Sequence, residues 1–265
     1  MTDIPDALAR YIVGEIRRGR SAAGLTQEAF GRAANFSASH VSSVENGTRA
    51  LTMDFVMGAD RALKTGGLFE RLVLTLAAPA WLREWIEIER EAVVLRSFEN
   101  VVIPGLLQTE AYARALFNVR LLTPEQGQQQ LTSRLERQAI LGRDEPPQLV
   151  AVLDALVLRR PIGGREVMRE QLAHLLKLSD GNPLVRVHVV PEETGAYIGL
   201  GGPFVLATLP DNTDVAYLDN QLKGQVVDRA PDVMQVGQAW DAILGCALSA
   251  PQSTELISRM MDEWN

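Results

Sequence analysis

The stretch TQEAFGRAANFSASHVSSVEN, residues 26–46, contains two short helical patterns separated by a turn. Thr26 is a favourable N-cap, and Ala29, Phe30 and Ala33 follow at positions that face one side of a helix. The first half of the stretch is therefore predicted to be a helix that begins directly after Thr26.

The second half of the stretch begins after Asn35, a residue type that tolerates the left-handed backbone conformation that such a turn requires. Ser37 can cap the next helix, and Val41 and Val44, three residues apart, form its inner seam. The residues left for the outer faces are small or hydroxylic: Ala38, Ser39, Ser42 and Ser43.

Helical patterns also flank this stretch on both sides. Residues 7–22 place apolar side chains on one face, and Gly24 is a plausible stop signal. A fourth helix is predicted after Thr52, and a fifth follows Gly67 and ends near Pro79. Five helices within about 75 residues indicate a small all-α domain.

Residues 26–46 resemble the helix-turn-helix of the Xre family, the phage-repressor type of DNA-binding domain. Thr26-Gln27 is similar to the opening of that family's second helix, and VENG at 44–47 is similar to the end of its recognition helix. The resemblance implies that helix 37–46 lies in the major groove of double-stranded DNA. Gln27, Asn46 and Arg49 would then meet the phosphate backbone.

The resemblance also assigns the outer face of the second helix to base edges, through these residues: Ala38, Ser39 and Ser43. Ser37 and His40 complete the predicted DNA-binding set, and His40 is the only bulky polar residue near that face. Arg20 and Glu45 match the family's buried structural ion pair. The strongest base-reading positions carry no Arg, Gln or Asn, which predicts weak direct readout, with DNA shape or dimer spacing contributing more. The alternative is an ordinary pair of helices in a bundle.

The charge distribution sets a limit on DNA affinity. The chain has a net charge of −7, yet residues 1–66 contain eight Lys/Arg and seven Asp/Glu, so the other 199 residues carry −8. Because a near-neutral module neutralises few phosphates, we expect specific binding to require a homodimer.

The rest of the chain is predicted to form a second domain, with residues 1–78 as the DNA-binding domain and 79–265 as an effector or partner-interaction domain. Strand patterns occur at six places: 101–103, 148–158, 185–190, 204–209, 215–218 and 226–227. Because helical and strand patterns are segregated rather than alternating, we expect an α+β body with a small, mainly antiparallel sheet.

Four motifs in this second part carry a further resemblance: IPGLLQTEAYARAL, LDALVLRRPIGG, MREQLAHLL and GPFVLATLP. Over roughly residues 81–250 they resemble the C-terminal domain of an actinobacterial group of antitoxin-like Xre-type regulators. That resemblance implies a small partner protein. The alternative is a ligand-sensing regulator with a pocket near GAYIGLGGP, residues 195–203.

No residue pattern points to catalysis or to a cofactor. The three histidines, His40, His174 and His188, show no H-x-x-x-H or H-E-x-x-H spacing, and no G-x-S-x-G motif is present. Cys246 is the only cysteine, which excludes an internal disulfide. We therefore expect a protein that is not an enzyme and binds no metal.

The sequence also indicates a location. The N-terminus lacks a signal-peptide pattern, and no apolar run is long enough to span a bilayer. We expect a cytoplasmic protein without membrane contact, associated with the nucleoid when it is bound to DNA.

Overall fold

A computed structural model of the chain describes residues 6–77, 80–119, 122–219 and 224–264. The chain divides into two compact units, Met1–Arg83 and Glu84–Asn265. The domain boundary expected between residues 78 and 79 lies outside the described residues.

The first unit is helical, as predicted. Within residues 6–77 its five helices are α1 (Asp6–Ala22), α2 (Gln27–Ala34), α3 (Ala38–Glu45), α4 (Met53–Leu63) and α5 (Leu68–Ala77). Thr26, Ser37 and Thr52 each accept a hydrogen bond from the backbone N–H three residues later, so the predicted N-caps are confirmed.

The turn between α2 and α3 depends on the left-handed backbone of Asn35 and on the absence of a side chain at Gly31. Asn35 adopts the predicted left-handed conformation, with φ 65° and ψ 39°. Phe36 N–H then donates to the Gly31 carbonyl at 2.8 Å, and a Cβ on Gly31 would lie 2.6 Å from the Phe36 oxygen. Only glycine at position 31 therefore allows the turn to close this tightly.

The core of the first unit gathers one buried face from each helix, including Ile12, Phe30, Val41, Phe55 and Val73. α5 is joined to α4 by a second kind of contact, because the buried Asp60 carboxylate accepts hydrogen bonds from Phe69 N–H and Glu70 N–H, each at 2.9 Å. The carboxylate thus caps a helix that follows eight residues later in the chain.

Gly58 allows α4 to pack closely against α2. A Cβ at this position would lie 2.7 Å from the Ala34 carbonyl oxygen and 2.9 Å from Phe36 Cε2. Because the first of these atoms is backbone, α4 would have to move away from α2 to accept a side chain.

We predict that Gly58→Ala lowers the free energy of unfolding of the first unit by roughly 1–3 kcal/mol, because overpacking outweighs the gain in helix propensity. Urea unfolding followed by circular dichroism measures the change. Gly14→Ala is the matched control, since a Cβ on Gly14 of α1 meets nothing within 4 Å. That control should gain roughly 0.5–1 kcal/mol, and equal effects of the two substitutions would contradict the packing argument.

The second unit combines helices with one sheet. α6 (Ala80–Glu91) spans the division at Arg83. The further helices of the second unit are α7 (Glu110–Asn118), α8 (Pro124–Gln138), α9 (Ala155–Arg159), α10 (Arg165–Gly181), α11 (Ala230–Cys246) and α12 (Ala250–Glu263). Its strands are β1 (Val94–Glu99), β2 (Gln148–Asp154), β3 (Val185–Val190), β4 (Phe204–Thr208), β5 (Asp214–Leu218) and β6 (Gln225–Val227).

The strand order among the described residues is β3-β2-β1-β4-β5-β6. β1, β2 and β3 are parallel, whereas β1–β4, β4–β5 and β5–β6 are antiparallel. The α+β prediction is confirmed, and the sheet is mixed because α7 with α8, and α9 with α10, form the crossovers that parallel neighbours require.

One predicted strand lies in the wrong place. Segment 101–103 is a bend, and β1 occupies Val94–Glu99 instead. Charged residues within β1 hide it from a search for apolar alternation. Arg96 is accommodated because its guanidinium donates across the sheet to Thr208 Oγ1 at 3.0 Å and to Asp214 Oδ2 at 2.8 Å.

A second strand prediction extends too far. The apolar run 148–158 is a strand only to Asp154, after which α9 begins. Asp154 Oδ1 accepts a hydrogen bond from Leu156 N–H at 2.9 Å and so caps the short helix. A continuous apolar run does not distinguish a buried strand from a buried helix by its periodicity, which explains the error.

The motif at 103–109 is fixed by buried glutamines. Gln171 of α10 donates to the Leu107 carbonyl and accepts from Thr109 N–H, both at 2.7 Å. Gln108 donates to the Ile103 carbonyl at 2.6 Å. Since both side chains are almost fully buried, these bonds satisfy the polar groups of a loop that is packed inside the unit.

The two faces of the sheet pack against different helices. One face meets α11, whose Val233, Trp240 and Ile243 lie in a cluster with Phe98 and Leu206. On the opposite face, Trp85 of α6 stacks on Tyr217 of β5 with ring centroids 4.8 Å apart.

At the outer edge of β3, Val189 is paired with the connection between α11 and α12 and with the start of α12. Leu248 N–H donates to the Val189 carbonyl at 2.9 Å, and Val189 N–H donates to Ser253 Oγ at 3.0 Å. These bonds occupy strand groups that face away from β2.

Candidate nucleic-acid interface

α3 is short because both of its ends are determined by local hydrogen bonds. At its start, Ser37 Oγ accepts from His40 N–H at 3.2 Å. At its end, Gly47 has φ +71°, and Thr48 N–H donates to the Ser43 carbonyl at 2.9 Å. This Schellman-type ending places Arg49 beyond the helix, on the exposed surface.

Arg20 joins α1 to α2 and α3. Its Nε and Nη2 donate to the two carboxylate oxygens of Glu45 at 2.7 and 2.9 Å, and its Nη1 donates to the Leu25 carbonyl at 2.8 Å. The Arg20 and Glu45 side chains are only 12% and 3% exposed. Glu45 is the last residue of α3, so this pair fixes the end of that helix.

Gln27, the first residue of α2, belongs to the same network. Its side-chain amide donates to Glu45 Oε2 at 2.7 Å, which holds it beside the end of α3. An amide nitrogen has two hydrogens, so a second donor remains for another acceptor. The predicted phosphate contact of Gln27 stays a prediction.

The ionisation of this pair follows from its contacts. Burial favours the neutral form of Glu45, but hydrogen bonds from Arg20 and Gln27 outweigh it, and they lower the pKa of the carboxyl below its ordinary value. The hydrogen bond with Glu45 raises the pKa of Arg20. Both groups are therefore charged near neutral pH.

The outer face of α3 presents few groups that could read a base. Ser39 is exposed, but Ser43 Oγ donates to the Ser39 carbonyl at 2.8 Å and is turned towards its own helix. Ala38 is half-buried. Asn46 is exposed, and its side-chain amide donates to Ser42 Oγ at 3.3 Å. Ser42 is absent from the predicted DNA-binding set, yet it lies beside Asn46, which is predicted to contact the DNA backbone.

His40 packs mainly inside the unit. Its ring lies 4.6 Å from the Phe36 ring and 5.8 Å from the Phe55 ring, nearly parallel to the latter. Nε2 is buried and has no hydrogen-bond partner among the described residues. Burial and then the charge of Arg49 lower the pKa of His40. Most of its ring thus serves as packing surface, and its predicted DNA contact stays a prediction.

The other histidines lie on separate elements of the second unit. His174 is on α10, where burial lowers its pKa, and His188 is on β3, with Nδ1 2.9 Å from the Leu248 carbonyl. In the part of the chain that the structure describes, no group of three or more His, Cys, Asp or Glu side chains is arranged to hold a metal ion. Among the helices described, none has both the length and the apolar composition needed to cross a membrane.

A capped helix pair, its left-handed turn and the network that joins it to α1 define a helix-turn-helix DNA-binding unit, and residues 12–72 match the family described as a helix-turn-helix domain. Residues 82–259, well over half of the chain, match the family described as a domain of unknown function (DUF5753). The chain therefore belongs to the DUF5753 family. Neither the curated proteins nor the solved structures contain a significant match.

We predict that Arg20→Ala lowers the free energy of unfolding at pH 7 by about 3–5 kcal/mol, because it leaves the Glu45 carboxylate buried without its cation. Arg18→Ala is the matched control on the same helix. Arg18 is 68% exposed and pairs with Glu15 at the surface, so its removal should cost at most about 0.5 kcal/mol.

The effect of Arg20→Ala should depend on pH. Because the folded-state pKa of Glu45 is lowered, its stabilising pair is fully present above the ordinary value of 4.5 and is lost as pH falls further. Urea unfolding at pH 7 and pH 3.5 should therefore show a smaller difference between wild type and Arg20→Ala at the lower pH. A constant difference would mean that the ion pair does not determine the stability of this unit.

Proposed function

We propose that the chain is a sequence-specific transcriptional regulator of the Xre type that binds double-stranded DNA as a homodimer. The observation that carries the proposal is the network of Arg20, Glu45 and Gln27, which fixes the recognition helix α3 against α1 and α2. A preorganised helix of this kind binds a groove without the cost of ordering it.

In the proposed complex, α3 lies in the major groove. Gln27, Asn46 and Arg49 contact phosphates at the two ends of the helix pair. Ala38, Ser39 and Ser43 approach the base edges, and Ser37 lies at the start of α3 near the backbone. Asn46 and Ser39 are exposed, so both are accessible to DNA.

The small side chains on α3 favour recognition by two copies. Serine hydroxyls are poor discriminators compared with the bidentate contacts of Arg, Gln or Asn. A dimer adds the spacing of its two half-sites, about 34 Å for one helical turn of DNA, as a further source of specificity. It also doubles the number of phosphate contacts.

For the second unit we propose an antitoxin-like role, in which it binds a small partner protein. The resemblance of its four motifs supports this role, and so does its charge. Residues 1–83 hold 10 of the 26 cationic side chains and 8 of the 33 acidic side chains. Residues 84–265 therefore hold 16 cationic and 25 acidic side chains, which gives this unit a net charge of −9. An acidic unit attracts a partner that is basic.

The second candidate is a regulator that senses a small molecule. A space of about 390 Å³ lies between α7 and α8, and its walls include Phe117, Leu131, Arg114 and Gln128. Its volume falls in the range of small-molecule sites. Residues 195–203, where the sequence suggested a pocket, pack against α11 through the turn Ile198–Gly201.

Neither candidate includes a chemical step. We propose that the protein is not an enzyme and needs no cofactor, since its sequence contains none of the nucleophile or metal motifs named above. Cytoplasmic location, with nucleoid association on DNA binding, is part of the same proposal.

Binding of the full chain to DNA upstream of its own gene tests the main proposal. We predict that Ser39→Ala and Asn46→Ala each weaken binding by about 1–2 kcal/mol, or roughly 5- to 30-fold, because each removes a polar contact. A gel-shift titration at fixed salt measures the change. Ser133→Ala on α8 is the control for removal of a serine hydroxyl. Unchanged binding by both α3 variants would show that α3 is not the recognition helix.

A substitution that fills the cavity distinguishes small-molecule binding by the second unit from partner-protein binding. Gly127 lines the cavity, and a Cβ there meets nothing within 4 Å. Gly127→Leu should therefore raise the unfolding temperature slightly. We expect benzoate or a similar aromatic acid to raise the unfolding temperature of wild type if it binds this space, and the substitution should abolish that thermal shift. A thermal shift caused by a partner protein should survive the substitution. No shift with any acid in wild type would exclude this class of ligand.

A further inference from the structure

α11 has an outer face that no described element covers. Its inner residues Val233, Trp240 and Ile243 are buried against the sheet. The opposite side of the same helix is exposed over its whole length. Beyond the exposed first two residues of α11, the exposed residues are Met234, Gln235, Gln238, Asp241, Ala242, Gly245 and Cys246.

The turn Ile198–Gly201 packs against α11. Ile198 and Leu200 are 58% and 62% exposed, and Met234 at the start of α11 is 63% exposed. We define the α11 surface as these three side chains together with the exposed residues of α11.

The turn is held firmly although its aliphatic side chains face outward. A Cβ on Gly199 would lie 2.5 Å from Phe98 Cζ, and Asn100 Nδ2 donates to the Gly199 carbonyl at 2.8 Å. Tyr197 OH donates to Asp154 Oδ2 at 2.6 Å. Exposed apolar side chains on a fixed backbone bind with little loss of conformational entropy, which is typical of the central residues of an interface.

The α11 surface differs from the rest of the unit in its charge. Residues 84–265 carry −9, yet residues 195–210 contain no charged side chain. On the outer face of α11 the exposed residues include one carboxylate, Asp241. Asp232 is half-buried and lies 3.5 Å from Arg229.

This pattern determines which partner fits. A basic protein would be drawn to the carboxylates of the unit, which are elsewhere. In a second copy, residues 84–265 carry the same net charge of −9 and are repelled by those carboxylates, so the two units approach most easily where the charge is low. A two-fold axis brings the same patch of both copies together, and the α11 surface can meet itself with little repulsion.

We propose that the α11 surface is the interface through which two copies of the chain associate. The proposal rests on the homodimer of the proposed function and assigns its contact. α11 has 17 residues and is about 25 Å long, so two antiparallel copies of it form a continuous helix–helix contact. Ile198, Leu200 and Met234 then add apolar area to this contact.

The test measures the mass of the full chain without DNA, by sedimentation velocity from 1 to 100 μM. Wild type should sediment as a dimer. Ala242→Glu places a second carboxylate next to Asp241 and opposite the same residue of the other copy. The dissociation constant of the dimer should therefore rise at least tenfold. Met234→Glu should have the same effect at the end of the surface.

Ala173→Glu is the matched control, because Ala173 is an exposed alanine on α10, also a 17-residue helix. It should leave the dimer unchanged. All three positions are exposed, and thermal unfolding of each variant verifies that the fold is retained.

A monomeric wild type, a dimer that Ala242→Glu and Met234→Glu leave unchanged, or a dimer that Ala173→Glu dissociates equally would overturn the proposal. These outcomes are independent of DNA recognition, because Asn46→Ala should remain a dimer and still lose affinity in the gel shift. Failure of the interface and failure of the DNA-binding proposal are therefore distinguishable.

Discussion

The DNA-binding unit depends on the hydrogen bonds that the guanidinium of Arg20 donates. Its three nitrogens reach the end of α3 and the carbonyl that precedes α2, while its own Cα belongs to α1. Without this cation the buried Glu45 carboxylate would destabilise the fold. The position of α3 is therefore linked to the ionisation of the Arg20–Glu45 pair. The recognition helix is only eight residues long, and its own hydrogen bonds could not hold it in place.

Much of the first unit can be predicted from its sequence, because its elements are marked by local signals. Thr26, Ser37 and Thr52 cap the helices that follow them, and Asn35 takes the left-handed turn. The Asp60 cap on α5 and the inward position of His40 could not be predicted in the same way. Both depend on residues brought together by tertiary packing, and His40 has the sequence appearance of a surface residue.

In the second unit, local sequence patterns predict most of the strands but not β1 or the parallel half of the sheet. Strands 185–190, 204–208, 214–218 and 225–227 follow apolar patterns and lie close to their predicted positions. β1 does not, because the cross-strand partners of Arg96, 112 and 118 residues away, are invisible in its own neighbourhood. The parallel half of the sheet depends on which strands become neighbours, a property of the whole chain. The candidate contacts on DNA come from family resemblance, whereas the α11 surface emerges only from exposure and charge in the folded unit.

The hydrogen bonds of Val189 at the outer edge of β3 affect how copies of the chain associate at high protein concentration. An open parallel edge would offer unpaired amide and carbonyl groups to any extended chain, including a nascent copy of itself, and could seed fibrous growth. Leu248 and Ser253 occupy the carbonyl and amide groups of Val189 in the folded unit. A strand that added at this side would have to break both hydrogen bonds, which disfavours polymerisation from this edge.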